Sequence, residues 1–255
     1  MQASSPPTDA PMKAVILAAG MGSRLAPLTN DRPKCLVEVG GRPILFRQLD
    51  QLRAVGWALA DVVIVAGYKA DVLRAGLAAG GFGEVVVVDN PMYEPWNNFW
   101  SLAVAAPAVG DHGVLQFDGD VLLDERLLPR VLAAPGEAVL AVDCRPELDD
   151  ETMKAQLDAS GAVIGLSKQL PAAACAGEYI GISRLAPTVA AQVFAELHAM
   201  KDAGRTGEYY EYGYYQLIAR GAVRFDIVDV HDCSVTEIDN VEDLARADAM
   251  LRARG

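Results

Sequence analysis

The sequence predicts an α/β fold, with a mostly parallel sheet covered by helices on both faces. Two observations carry the prediction. Apolar runs of strand length alternate with amphipathic stretches of helical length, as repeated βαβ units require. The first run ends in a glycine-rich turn and the fourth in Asp118-Gly119-Asp120, and open α/β sheets bind ligands at the carboxyl ends of such strands.

The elements follow in chain order. Residues 13–18 (KAVILA) form a continuous apolar run suited to a buried parallel strand. After the loop at 19–23, residues 43–54 place Ile44, Leu45, Leu49 and Leu52 at helical spacing, with Pro43 tolerated at a first helical position. A strand is predicted at 61–67, a helix at 69–79, a strand at 84–89, an apolar helix near 99–108 and a strand at 113–118. The second half is less regular, with strand-like runs at 138–143, 162–167 and 179–184. A helix near 187–202, a tyrosine-rich segment, a strand near 223–229 and a final helix near 240–253 complete the chain. Residues 1–11 read as a disordered leader without the charge and apolar pattern of a signal peptide, and residues 12–255 as one domain.

At 255 residues and 52% hydrophobic content the chain can bury a sizeable core. Its formal charge of −12 argues against a nucleic-acid partner, which needs a basic face. One segment departs from this. Residues 12–45 carry Lys13, Arg24, Arg32, Lys34 and Arg42 against Asp31 and Glu38, a local +3. A phosphorylated small molecule can bind such a pocket inside an acidic envelope. Cys35, Cys144, Cys175 and Cys233 are scattered without a CxxC pair, which fits reduced thiols in the cytoplasm. No run of about 18 uncharged apolar residues exists, so no membrane partner is expected.

The glycine-rich loop carries the chemistry. Leu17-Ala18-Ala19-Gly20-Met21-Gly22-Ser23 ends a strand in small residues, so backbone can approach a base and phosphates closely. Gly20 and Gly22 permit backbone angles that aim successive N–H groups at an anion, and Arg24 and Lys34 add charge at the same mouth. The G-x-G is not followed by x-x-G, so this is no dinucleotide fingerprint.

The run LAAGMGSRLAPLT…RPKCLVEVGGRPIL resembles the signature of nucleotidyltransferases that join a nucleoside triphosphate to a phosphorylated small molecule and release pyrophosphate. The resemblance extends over nearly the whole chain from residue 12. It implies a Rossmann-like three-layer sandwich with a small β-rich insertion on the acceptor side, and a Mg²⁺-dependent in-line displacement at the α-phosphorus. It also implies that Asp120 and Asp239 hold the ion, with Arg24 and Lys34 as catalytic charges and residues 17–23 around the nucleotide. A helix cap is the competing role for Asp239, and Asn240 is equally able to fill it. Asp118 is either a supporting residue or a turn former.

Two stretches narrow the acceptor. Asn97-Asn98-Phe99-Trp100-Ser101-Leu102 is similar to a stretch of the bacterial phosphocholine and phosphonate cytidylyltransferases that sugar-1-phosphate enzymes usually lack. Asn97 is read as a ligand or a loop-orienting residue, and Asn98 as acceptor-binding or an N-cap. The second stretch, 207–215, gathers Tyr209, Tyr210, Tyr212, Tyr214 and Tyr215 beside Glu208 and Glu211. Aromatic faces with a carboxylate attract an ammonium group, so Glu211 with one or two of these tyrosines, Tyr210 among them, is expected in an amine pocket. At helical spacing not all five can face it, and two or three belong to the core or the surface. Lys154 and Glu178 also fall where relatives carry similar stretches, Lys154 toward the acceptor phosphate or else as a solvated lysine.

The function expected is CTP-dependent cytidylyl transfer to phosphocholine or 2-aminoethylphosphonate, with the oligomeric state left open between a monomer and a homodimer. The competing expectations are a sugar-1-phosphate nucleotidyltransferase using UTP, GTP or dTTP, and a catalytically silent nucleotide sensor.

Overall fold

The computed structural model describes residues 11–145 and 147–252; most of the expected leader, residues 1–10, lies outside them. The first half alternates strand and helix. Strand β1 (Met12–Ala18) leads into a short hairpin of β2 (Glu38–Val39) and β3 (Arg42–Pro43), then helix α1 (Ile44–Ala54). Strand β4 (Val62–Ala66), helix α2 (Ala70–Ala79) and strand β5 (Val86–Asp89) follow. Helices α3 (Phe99–Val104) and α4 (Ala106–Val109) precede β6 (Gly113–Asp118) and β7 (Val121–Leu122).

The second half comprises α5 (Leu127–Ala133), β8 (Ala138–Asp143), β9 (Lys154–Leu157), β10 (Val163–Ser167) and β11 (Gly177–Leu185). It closes with α6 (Pro187–Asp202), α7 (Tyr210–Ala219), β12 (Asp226–Asp229), β13 (Thr236–Glu237) and α8 (Val241–Arg252).

The central sheet has nine strands among the described residues. Strands β5, β4, β1 and β6 are all parallel neighbours. Alternate residues of β1 and β4 point to opposite faces, as the period of two requires. Val15, Val63 and Val65 enter one cluster with Phe99, Leu102, Val193, Leu197 and Tyr214. Ala14, Ile16, Val62 and Ile64 enter another with Leu45, Leu49, Leu73, Leu77 and Val131. Helices α3, α6 and α7 thus cover one face and α1, α2 and α5 the other, which makes the three-layer sandwich.

Strand β11 gives the sheet its antiparallel part. Its carboxyl half pairs with β6 and β8, and its amino end pairs with β9, which carries β10 outward. A register shift between Tyr179 and Ser183 separates the two halves. Gly181 sits there with φ 72°, where a Cβ would collide with the Asp118 carboxylate. The bulge makes room for that side chain.

Three sequence expectations change. Pro43 lies before α1 in extended backbone and pairs in β3. The helix expected near 99–108 divides at Ala105, because Pro107 has no N–H to continue it and opens α4 instead. The tyrosine-rich segment is helix α7, and α5 and β9 were not anticipated.

Candidate active site

A cleft of about 590 Å³ opens at the carboxyl ends of β1 and β6. Leu17, Ala19, Gly20, Gly22, Ser23, Arg24 and Lys34 line one end. Ala18 lines a small adjoining recess, whereas Met21 is 40% exposed and lies outside the lining. Of the two loop glycines, Gly22 takes the left-handed conformation (φ 62°) and Gly20 does not. A Cβ on Gly22 would also stand 2.7 Å from Lys34 Cβ. Glycine at 22 therefore lets Lys34 lie directly behind the loop.

Lys34 is fixed by two carboxylates. Its Nζ donates to Asp120 Oδ2 at 2.6 Å and to Asp239 Oδ1 at 2.5 Å. Arg24 Nη2 pairs with Asp239 Oδ2 at 2.8 Å. Burial would depress the Lys34 ammonium, but the charges of Asp120 and Asp239 overcome it and raise its pKa above the ordinary value. The other cations of the basic segment are tied elsewhere: Lys13 to Asp61, Arg32 to Asp31 and Arg42 to Asp50. Only Arg24 and Lys34 of these five line the cleft.

Asp239 reaches Asp120, far away in sequence, because β13 pairs antiparallel with β7. Thr236 lies opposite Leu122, and Ile238 N–H donates to Asp120 O at 3.0 Å. Ile238, Leu122 and Leu25 are buried in one small apolar cluster beneath them. The cap role falls to Asn240, whose Oδ1 accepts from Asp243 N–H while Asp243 Oδ2 accepts from Asp239 and Asn240 N–H. Asp239 keeps both carboxylate oxygens for the cleft.

Glu237 is a site residue that the sequence motifs alone do not single out. Its carboxylate, with those of Asp120 and Asp239, offers three oxygens within 4.8 Å of one another. The alternation of a strand places 237 and 239 on one face, a signal already present in Thr236-Glu237-Ile238-Asp239. Glu237 opens to the cleft, yet the surrounding protein and the charges of Asp120 and Asp239 push its carboxyl up to about 8. Asp120 Oδ1 is buried and has no hydrogen-bond partner among the described residues. An all-oxygen donor set, mutually repelling and with one orphaned oxygen, fits a hard divalent cation.

Behind the cluster, Asp118 also lines the cleft. Burial, followed by the charges of Glu211 and Asp120, pushes its carboxyl well above the ordinary carboxylate range, against a bond from the Tyr210 hydroxyl. Burial likewise raises Glu178, with Asp143 and Asp149 adding to it. Glu178 and Asn98 both line the cleft, as does Tyr209 of the tyrosine cluster; Glu147, Asp149, Glu151 and Lys168 line it too and were not anticipated. Lys168 Nζ lies 3.3 Å from Glu151 Oε2 and 5.5 Å from the Tyr209 ring centre. It directly follows β10, a strand-end position that could have drawn notice.

The remaining acceptor residues fall elsewhere. Lys154 is only 2% exposed and donates to Lys168 O at 2.6 Å, so it is neither a cleft residue nor a solvated lysine. The pleat of β9 turns it inward, where it needs carbonyl partners. Asn97 donates through Nδ2 to Gly207 O and through its backbone N–H to Thr206 O, so it orients that loop. Asn98 Oδ1 accepts the Tyr210 N–H at 3.0 Å; it caps α7 and makes no side-chain cap bond to α3. Tyr210 is fully buried with its hydroxyl on Asp118. Glu211 lines a second cavity of about 540 Å³ with Met153, Lys168, Tyr209, Tyr212 and Tyr215. Its Oε2 is buried without a hydrogen-bond partner among the described residues, and burial pushes its carboxyl up to about 7.

The model of the MobA-like NTP transferase domain matches residues 14–205. The chain belongs to this family. It is 31% identical over 251 residues to a CMP-5'-(3-aminopropyl)phosphonate synthase of Streptomyces rubellomurinus, covering 95% of this chain and 39% of that protein. It is 36% identical over 110 residues to a choline-phosphate cytidylyltransferase of Streptococcus pneumoniae, covering 42% of this chain and 44% of that one. The matched segments thus cover less than half the length of each of these two curated relatives. Sugar-1-phosphate nucleotidyltransferases also match, over less of the chain than the phosphonate synthase. Among solved structures, the CTP:phosphocholine cytidylyltransferase of Streptococcus pneumoniae shares the fold with a TM-score of 0.72 at 24% identity, covering 94% of this chain and 99% of that one. No helix among the described residues is long and apolar enough to cross a membrane.

Proposed function

We propose that this chain transfers a cytidylyl group from CTP to a small acceptor that carries a phosphate or phosphonate at one end and an amine at the other, releasing pyrophosphate. The observation that carries the proposal is the layout of the cleft. Arg24, Lys34 and three converging carboxylates share the cleft with Lys168, whose Nζ lies 3.3 Å from Glu151 Oε2, and with Glu147, Asp149 and Glu178. A cation ringed by carboxylates suits a ligand that is itself anionic and cationic. The names of the phosphonate and choline-phosphate relatives favour CTP and an amine-bearing acceptor.

The chemistry asks for positioning and charge neutralisation. An acceptor phosphate oxygen is ionised at neutral pH, so no general base is needed for its attack on the α-phosphorus. The loop 17–23 holds the triphosphate with its backbone, and Arg24 and Lys34 face the charge that develops on the leaving pyrophosphate. A Mg²⁺ ion held by Asp120, Glu237 and Asp239 would neutralise the phosphate oxygens of donor and acceptor. Lys168 takes the anionic end of the acceptor, the role first expected of Lys154. Glu178 and Glu211 are the carboxylates available to its amine.

The test is a pyrophosphate-release screen of four nucleoside triphosphates against phosphocholine, phosphoethanolamine, 2-aminoethylphosphonate and several sugar-1-phosphates. Dominant turnover of CTP with an amine-bearing acceptor is expected. Dominant turnover with a sugar phosphate refutes the amine reading. Calorimetric CTP binding without turnover across the panel favours the silent sensor.

A further inference from the structure

A buried hydrogen-bond chain runs from helix α7 to the floor of the cleft. Tyr214 and Ser183 share a bond of 3.0 Å between their hydroxyls. Ser183 Oγ and Tyr179 Oη both donate to Gln116 Oε1, at 3.1 and 2.9 Å. Gln116 Nε2 donates to Tyr210 Oη at 3.1 Å and to Asp118 Oδ1 at 3.0 Å. Tyr210 Oη donates to Asp118 Oδ2 at 3.1 Å. Tyr210 Oη also lies 3.2 Å from Tyr179 Oη, so its one proton has two acceptors in reach. With Tyr179 donating to Gln116, Tyr214 donating to Ser183 and the Tyr210 proton given to the carboxylate, each proton is used once and the chain ends on Asp118. Gln116, Ser183, Tyr210 and Tyr214 are fully buried, and Tyr179 is 3% exposed. Such a set is costly unless every member is satisfied, and here each is.

Its backbone anchors are equally particular. The bulge at Gly181 clears space for the Asp118 carboxylate, and Gly119 N–H donates to Leu17 O at 2.9 Å beside the glycine loop. The Tyr210 N–H is held by Asn98 Oδ1. Tyr210 therefore joins three parts of the site: the asparagine pair, the helix bearing Glu211, and the Asp118-Gly119-Asp120 turn.

We propose that Tyr210 is a positioning residue whose hydroxyl sets Asp118, and through the turn Asp120, in register with α7. The acceptor-facing helix and the carboxylate at the phosphate end are thereby placed by one hydrogen-bonded unit. The proposal rests on the transferase reading above.

Tyr210→Phe tests it, because the ring keeps its edge-on packing against Tyr179 and Tyr214 and only the hydroxyl is lost. Loss of a partner that orients a ligand-bearing group lowers activity or metal affinity about 10–100-fold. For Tyr210→Phe, kcat is expected to fall at least about tenfold while KM for CTP stays within about twofold. Tyr214→Phe removes an equally buried hydroxyl at the far end of the chain, where it meets only Ser183, and its kcat should fall severalfold less than that of Tyr210→Phe. Retained kcat in Tyr210→Phe, or equal losses in both variants, overturns the positioning role. If the wild-type chain turns over no substrate pair, the transferase reading has failed by itself. Calorimetric Mn²⁺ titration then decides the positioning: about tenfold weaker binding to Tyr210→Phe supports it, and unchanged affinity overturns it.

Discussion

Lys34 is held by two carboxylates within 2.6 Å, and this geometry gives it two opposed effects. It pairs with Asp120 and Asp239 in the folded chain, and in the proposed transfer it faces a triphosphate. Lys34→Ala is expected to bind CTP and remain folded, yet to lose about 10²–10³ in kcat, the usual cost of removing one preorganised charge stabiliser. Near wild-type pyrophosphate release would remove Lys34 from the mechanism. Glu211 permits a separate prediction about stability. Its carboxyl is raised by burial to about 7 from an ordinary value near 4.5, so the folded chain binds its proton more tightly than the unfolded chain does. Stability from this group is fully present below about pH 4.5 and declines as pH rises toward 7. Glu211→Gln removes the titration and should be more stable than wild type at pH 8, by roughly 3 kcal/mol. Thermal melts of both proteins from pH 5 to 8 check this, and parallel curves would show that Glu211 does not titrate there. That the loop, Lys34, Asp120 and Asp239 gather in one cleft was legible because they lie in motifs. Lys168 and Glu237 were passed over because each is a single charged residue at a strand end, and their meaning comes from neighbours distant in sequence.

Helix α7 shows why some elements resisted reading. YEYGYYQLIA is rich in aromatics with strand preference and has glycine in its middle, both of which argue locally against a helix. The structure supplies the reason for Gly213: a Cβ there would lie 2.9 Å from Leu197 Cδ2 on α6. Close helix packing outweighs propensity. Strand β9 was missed for another reason, since KAQL has no apolar run and its lysine is buried against carbonyls. The parallel strands were legible because burial on both faces writes a continuous apolar run. The mounting of α7 is testable through Asn98, which caps it from outside the helix. Asn98→Ala should destabilise the protein by about 0.5–2 kcal/mol, the usual range for a lost N-cap. Because Glu211 rides on this helix and Tyr209 directly precedes it, KM for the acceptor should rise while KM for CTP changes little. A rise confined to CTP would place Asn98 at the nucleotide instead.

The charge of the chain bears on how a nucleotide can enter at all. Among the described residues the cleft is lined by eight carboxyl groups (Asp118, Asp120, Glu147, Asp149, Glu151, Glu178, Glu237, Asp239) against three cations (Arg24, Lys34, Lys168), inside a chain of formal charge −12. A free triphosphate meets repulsion from most of this surface, and Arg24 and Lys34 are already engaged by Asp239 and Asp120. A divalent cation would answer both problems, drawing the carboxylates together and freeing the lysine for phosphate. Nucleotide and metal should therefore stabilise the fold jointly. At about 100 times its Kd, a ligand that binds only the folded state adds roughly 2.7 kcal/mol. For a chain of this length that is a rise of about 5–11 °C in Tm. CTP with Mg²⁺ is expected to give a shift of this size, and CTP with EDTA a small one. Glu237→Gln should reduce the joint shift without abolishing it, since Asp120 and Asp239 remain. An equal shift in EDTA would mean that the basic loop binds triphosphate unaided, and that the three converging carboxylates serve some end other than the nucleotide.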